Sequence, residues 1–203
     1  MLKAQIAVMV SGGGTNLQAL IDAQKAGRLK SGEIALVVSN KKGAYALTRA
    51  EAAGIPAFYI EKEGFEDRLS GLLAQYKIDL IILAGFLRIF TKNFTDKWPK
   101  RIINVHPALI PSFCGNGYYG LRVHEEALKY GVKLSGATVH YANEVTDGGE
   151  IILQKAVKVY KKDTPETLQR RVMEQCEWVL LPKAAELVSK KILKEKGLKN
   201  EGV

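Results

Sequence analysis

The stretch Ile6-Ala7-Val8-Met9-Val10-Ser11-Gly12-Gly13-Gly14-Thr15-Asn16 decides the fold. Five consecutive apolar residues suit a strand buried on both faces. The glycine-rich turn that follows leads into a helix with Leu17, Leu20 and Ile21 on one side. The alternation continues outward from there. Ile34 to Val38 reads as a second strand, and Tyr45 to Ala53 as a helix ended by Gly54 with Pro56 just after. Ala57 to Ile60 is a short third strand, Phe65 to Tyr76 a helix, and Leu80 to Leu83 a fourth strand. This rhythm predicts an α/β fold: a doubly wound, mostly parallel sheet, Rossmann-like in its N-terminal half.

The second half reads differently. Ile102, Ile103 and Val105 make a fifth strand, and a helix spans about Val123 to Tyr130. Ser135 to Tyr141 and Ile151 to Tyr160 are longer strands, expected as an antiparallel hairpin joined by a loop containing Asp147. Thr164-Pro165-Glu166 opens a long C-terminal helix, with Thr as cap and Pro in the first position. Leu168, Val172, Cys176, Val179 and Leu180 are its expected apolar stripe. No repeat or low-complexity linker breaks the chain. One domain over residues 1–203 is expected, divided into halves 1–100 and 101–203.

Composition narrows the function classes. With 203 residues, 47% of them hydrophobic, the chain can bury a sizeable core. No apolar run approaches the ~18 residues of a membrane span, and Met1-Leu2-Lys3 leads straight into a strand without a signal peptide. Cys114 and Cys176 lack paired spacing, so neither a disulfide framework nor a metal site is expected, and a reducing cytoplasm fits. The formal charge of +9 suits anionic partners. Much of the excess, however, lies in Lys190, Lys191, Lys194, Lys196 and Lys199, where a solvated helix end explains it. Without a basic stripe interleaved with aromatics, no nucleic acid and no membrane is expected as a partner. Small phosphorylated or carboxylated substrates account for the charge, in a monomer or homodimer.

Two segments carry chemistry. In the turn Ser11–Asn16, glycines let the backbone approach a ligand and free N–H groups at a helix start favour an anion. A tight turn that simply needs glycine is the bland alternative. The segment is not a Walker loop, since no Gly-Lys-Ser/Thr follows. It is also a poor dinucleotide fingerprint, because Leu17 takes the third glycine's place and Ser39-Asn40-Lys41 offers no acid for a ribose. The second segment is Ile102-Ile103-Asn104-Val105-His106-Pro107, with Val145-Thr146-Asp147-Gly148-Gly149 further on. Asn supplies N–H donors to a developing oxyanion, His moves a proton near neutral pH, and Asp fixes its tautomer and favours its charged form.

Taken in order, five motifs resemble those of the folate-dependent phosphoribosylglycinamide (glycinamide ribonucleotide) formyltransferases. They are Val10–Leu17, Leu83–Ile89, Asn104–Pro111, Ser135–Tyr141 and Asp147–Gly149, and the likeness continues through Gln154 and the last helix. The resemblance implies transfer of a formyl group from 10-formyltetrahydrofolate, the co-substrate, to the amine of 5'-phosphoribosylglycinamide. The products are formylglycinamide ribonucleotide and tetrahydrofolate, a step of de novo purine (IMP) biosynthesis and one-carbon metabolism. By position, Asn104 would donate to the formyl oxygen, His106 would act as general acid, and Asp147 would pair with His106 and keep it protonated. Thr138 would be a supporting hydroxyl in the same site. Residues 1–100 become the ribonucleotide phosphate-binding half, and residues 101–203 the catalytic and folate-binding half. Gly14, Thr15 and Asn16 would hold the phosphate, and Glu177 the ribose hydroxyls. Leu87, Arg88, Ile89, Phe90, Asn104 and the backbone of Asn143, Glu144, Val145 and Thr146 would form the folate pocket. Arg68 matches an arginine beside the anionic groups, whether phosphate or folate glutamate.

The remaining chemistry-bearing residues have plainer readings. His140 is expected as a hydrogen-bonded supporting histidine and His124 as helix surface. The histidines have no metal-ligand spacing, so no metal is expected. Cys114 raises a formyl-thioester route, but no basic partner lies close in sequence. Pro111 to Gly120, rich in glycine and tyrosine, reads as a lid or as an ordinary surface loop. Glu150 replaces the proline of many relatives, which predicts a more mobile Asp147 loop, and Ala108 replaces a serine. Three other functions stay open. Formyltetrahydrofolate hydrolases usually carry an N-terminal regulatory domain, for which no room is expected before the first strand. Methionyl-tRNA formyltransferases normally add a C-terminal domain, whereas this chain ends soon after its last helix. A binding module without catalysis would not need Asn104, His106 and Asp147 together.

Overall fold

A computed structural model describes residues 2–200, with side chains to Gly197. Seven strands form one sheet in the order β3-β2-β1-β4-β5-β6-β7. The strands β1 (Ala4–Val10), β2 (Gly32–Ser39), β3 (Ala57–Tyr59), β4 (Leu80–Leu83) and β5 (Ile102–His106) run parallel. The strands β6 (Leu134–Tyr141) and β7 (Ile151–Lys158) continue the sheet antiparallel, as the predicted hairpin. The third strand stops one residue earlier than predicted, although Ile60 N–H still donates to the Ser39 carbonyl at 2.9 Å.

Alternate residues of β1 feed two cores. Ile6, Val8 and Val10 pack with α1 (Thr15–Lys25) and with Leu181, Ala185 and Val188 of the C-terminal helix. Ala7 and Met9 pack on the other face with Phe65, Leu69 and Leu73 of α3 (Phe65–Gln75). Helices on both faces explain the unbroken apolar strands. The helix α2 (Tyr45–Ala52) lies beside the glycine-rich turn. A Cβ on Gly14, whose φ is +74°, would come within 2.6 Å of Ala46 Cβ, so glycine is required there by both backbone and space. Short α4 (Lys92–Thr95) is capped by Thr91, and α5 (Leu121–Tyr130) precedes β6.

The C-terminal helix departs from the expected uniform rod. Thr164 and Thr167 form a capping box that starts α6 (Pro165–Val172), as the Thr-Pro pair predicted. A π-helical turn over Met173–Glu177 then separates it from α7 (Trp178–Asn200). The extra residue in that turn shifts the helical phase. Leu168, Val172, Cys176 and Leu180 are buried, whereas Val179, expected in the same stripe, is 45% exposed. Lys196 is ion-paired with Asp79 at 2.6 Å, a partner beyond simple solvation. The side chain of Lys199 lies outside the described residues.

The sheet order reverses between β1 and β4, whose carboxyl ends open a crevice where α/β proteins bind ligands. Ser11, just after β1, bridges that crevice. Its hydroxyl donates to Asn40 Oδ1 at 2.7 Å and accepts from Leu87 N–H, beyond β4, at 2.9 Å.

Candidate active site

A cavity of about 560 Å³ runs from this crevice to the ends of β5 and β6. Its size is in the range that accommodates small-molecule substrates. Asn104 and His106 lie two residues apart on β5 and so share one face, opposite His140 and Thr138 of β6. Asp147 reaches the same place from the β6–β7 loop with φ +56°. That loop is pulled close to its strand, because a Cβ on Gly149 would sit 1.7 Å from the Tyr141 carbonyl oxygen. Glu150 makes two contacts at the end of that loop. It is ion-paired with Lys100 at 2.6 Å, and its carbonyl accepts from Tyr141 N–H at 2.9 Å.

Hydrogen bonds fix the tautomers. A carbonyl can only accept, so the 2.9 Å contact between His140 Nδ1 and the Tyr141 carbonyl places a proton on Nδ1. His140 Nε2 is then free to accept from Asn104 Nδ2 at 3.1 Å, and the same amide nitrogen donates to Asp147 Oδ1 at 3.5 Å, which orients the amide at the cavity wall. His140 is thus the supporting histidine expected. His106 Nε2 donates to the Phe113 carbonyl at 2.8 Å, and its Nδ1 faces Asp147 Oδ2 at 3.5 Å. Asp147 Oδ2 also accepts from Gly115 N–H at 2.9 Å.

Electrostatics correct one expectation. Burial lowers the basicity of His106, and the nearby Asp147 carboxylate only partly offsets it, so the net shift is below 6.5. His106 is therefore held neutral near pH 7, not kept protonated. Burial alone would raise the Asp147 carboxyl. The adjacent His140 and His106 rings and the Gly115 N–H outweigh burial and hold the carboxyl below its ordinary value. The site combines a fixed amide donor, a neutral imidazole with its proton on Nε2, and an ionised carboxylate behind it. Such a set can stabilise an oxyanion and move one proton.

Other predicted residues are placed as follows. Asn16 and Glu177 both line the cavity and are joined by Asn16 Nδ2 donating to Glu177 Oε2 at 2.6 Å. Burial raises the Glu177 carboxyl. Gly14 and Thr15 sit at the helix start behind Asn16 and do not line the cavity, and the Thr15 hydroxyl contacts Met173 Sδ at 3.4 Å. Leu87, Arg88, Ile89, Phe90, Asn143, Val145 and Thr146 line the other end, while Glu144 does not. Arg88 stacks over Phe65 at 4.6 Å. Arg68 stands outside the cavity, paired with Glu61, because its position in the first turn of α3 directs it along the surface. Thr138 is the cross-strand neighbour of His106, but its hydroxyl bonds to groups outside the trio. Its hydroxyl donates to the Ala108 carbonyl at 2.7 Å and accepts from Ile110 N–H at 3.1 Å, anchoring the segment after His106. Cys114 is unpaired, and burial pushes its thiol up, which disfavours a thiolate nucleophile.

Residues 113–120 cover the site. Gly115, Asn116, Gly117, Tyr118 and Tyr119 line the cavity, and Phe113 and Gly115 hold His106 and Asp147 through their backbone. His124 is not helix surface, as expected, but wholly buried against the cavity wall. The helix α5 packs against α6, a partner distant in sequence. Gln169 and Met173 also line the site and escaped the sequence reading. A signal existed: Gln169, Met173 and Glu177 recur every fourth residue, beside the apolar stripe.

The sequence model of the formyl transferase family matches residues 4–184. A phosphoribosylglycinamide formyltransferase of Haemophilus influenzae is 40% identical over 84% of this chain and 81% of its own length. The trifunctional purine biosynthetic protein adenosine-3 of Homo sapiens is 42% identical over 92% of this chain. The chain spans only 18% of that relative's length. Among solved structures, glycinamide ribonucleotide transformylase 1 from Symbiobacterium toebii superposes with a TM-score of 0.86 at 38% identity. The superposition covers 93% of this chain and 89% of that one. No described helix is long and apolar enough to cross a membrane.

Proposed function

The chain belongs to the formyl transferase family, and from that premise we propose that it is a phosphoribosylglycinamide formyltransferase. It moves the formyl group of 10-formyltetrahydrofolate to the amine of 5'-phosphoribosylglycinamide, within purine synthesis. The observation that carries this reading is the convergence of Asn104, His106 and Asp147 in one cavity with Asn16 and Glu177. The whole chain acts as one formyltransferase domain. Residues 1–100 supply the phosphate turn, and residues 101–203 the chemistry and most of the folate contacts. The two unpaired cysteines suit a reducing cytoplasm.

In the reaction, the amine nitrogen bonds to the formyl carbon and the bond from that carbon to the folate nitrogen breaks. One proton leaves the amine and one reaches the departing folate nitrogen. Asn104 turns the N–H that lies 3.5 Å from Asp147 Oδ1 to the formyl oxygen as negative charge develops there. His106, with its proton on Nε2, donates to the same oxygen once the Phe113 carbonyl withdraws, and serves in the proton transfer. Asp147, at Nδ1, stabilises the imidazolium whenever His106 takes up a second proton. A fixed oxyanion donor is worth ~10²–10³ in rate and a placed acid or base ~10²–10⁴. The open N–H groups after β1 and the start of α1 favour the ribonucleotide phosphate. Apolar Leu87, Ile89 and Val145 cover the folate ring faces, beside loop backbone that matches the donors and acceptors along the pterin edge.

Absorbance of 10-formyltetrahydrofolate, followed with and without the ribonucleotide, tests the reading. Consumption only with the ribonucleotide is expected. Equal consumption without it identifies a hydrolase, and none under either condition identifies a binding module.

A further inference from the structure

Among the described residues, five buried side-chain atoms have no hydrogen-bond partner: Asn16 Oδ1, both ring nitrogens of His124, Trp178 Nε1 and Ser189 Oγ. Asn16 and His124 are the two of these residues assigned to the wall of the catalytic cavity. His124 is 0% exposed, and an imidazole with neither nitrogen satisfied is costly in such a setting. A polar group of a bound ligand would supply the missing partner. Burial, with a smaller contribution from the charge of His106, lowers His124 to about 4. The ring is therefore neutral at pH 7, offering one N–H and one lone pair.

Its place narrows the ligand group. The helix α5 packs against α6, which carries Gln169 and leads to Met173 and Glu177, while His106 lies near enough to act on His124 electrostatically. His124 thus shares one cavity wall with the Asn16–Glu177 pair and with His106. In a phosphoribosylglycinamide, the group between ribose and amine is an amide, with one N–H and one carbonyl. Resting on the function proposed above, we infer that His124 is a substrate-positioning residue that hydrogen-bonds the glycinamide amide and so aligns the attacking amine with His106 and Asn104. The segment whose Phe113 carbonyl holds His106 continues into α5, which carries His124.

Calorimetry with two ligands separates this role from a structural one. Wild-type protein is expected to bind phosphoribosylglycinamide more tightly than ribose 5-phosphate, which lacks the amide. His124→Phe fills similar space without polar atoms. It is expected to weaken phosphoribosylglycinamide about tenfold, to leave ribose 5-phosphate within about twofold, and to keep or raise the melting temperature. His124→Asn, which restores a donor and an acceptor, recovers part of the loss. Equal weakening of both ligands, or no change for phosphoribosylglycinamide, overturns the inference and leaves the proposed function standing. Wild-type protein that binds no phosphoribosylglycinamide overturns both.

Discussion

The glycine-rich turn after β1 and the cluster around Asp147 are built on different principles. The turn, which we propose holds the phosphate, offers backbone groups fixed by what surrounds them. Arg49 Nε donates to the Gly13 carbonyl at 2.8 Å, Ala46 N–H donates to the Gly12 carbonyl at 3.1 Å, and Ser11 bolts the turn to the loop after β4. In the cluster, the working groups are side chains drawn from β5, β6 and the β6–β7 loop. They are buried together, so each sets the charge and orientation of the next. A site of donors is robust to single changes, whereas a site of interdependent titratable groups is not.

That contrast predicts the largest losses in the cluster. His106→Ala or Asp147→Asn should lower turnover by ~10²–10⁴ in steady-state assays while the protein stays folded. Near-wild-type turnover in folded His106→Ala would remove the distinction between the two regions. Backbone closeness differs in the same direction. Gly149→Ala must push the Asp147 loop off the Tyr141 carbonyl, at a cost of ~1–3 kcal/mol with a fall in turnover. Gly13→Ala, with nothing within 4 Å of its new Cβ, should leave the melting temperature unchanged. Thermal melts of the two variants give the comparison directly.

Smaller effects concern protonation. Imidazole nitrogen NMR should find His106 titrating below 6.5, because burial outweighs Asp147. A midpoint above 6.5 would restore the imidazolium expected from the sequence. His124 contributes the smallest signal. Its folded value of about 4 lies below 6.5, so the unfolded chain binds more protons between these limits. Wild-type stability should therefore fall as pH drops from 6.5 toward 4, in addition to the same-signed contribution of His106. Melting temperatures of His124→Phe across that range should fall less steeply, and parallel curves would show that His124 is not neutral in the fold.

The two regions also differed in how far they could be read from the chain. Ile6–Asn16 announced a strand, a turn and a helix through contiguous residues, and the structure contains them. The motif order brought Asn104, His106 and Asp147 to one site for a similar reason, since two of them lie on one strand and the third lies in the loop of the hairpin paired with it. What escaped was set by distance in sequence and by solvent. His124 looked like surface because the packing of α5 against α6, far away in sequence, leaves no mark within residues 121–130. The His106 charge was misjudged because burial by residues 113–120 has no local signature. The phase of the C-terminal helix, and with it Val179, turned on a single π-turn that no residue of Met173–Glu177 dictates alone.

The central claim is that this site passes a formyl carbon to a ribonucleotide amine. Carbon-13 NMR on 10-formyltetrahydrofolate labelled in its formyl group, incubated with the protein and phosphoribosylglycinamide, follows that carbon itself. The account predicts that the label appears as a formyl amide on the ribonucleotide, and that His106→Ala abolishes its appearance on the same timescale. Label released as formate in the presence of the ribonucleotide would contradict it.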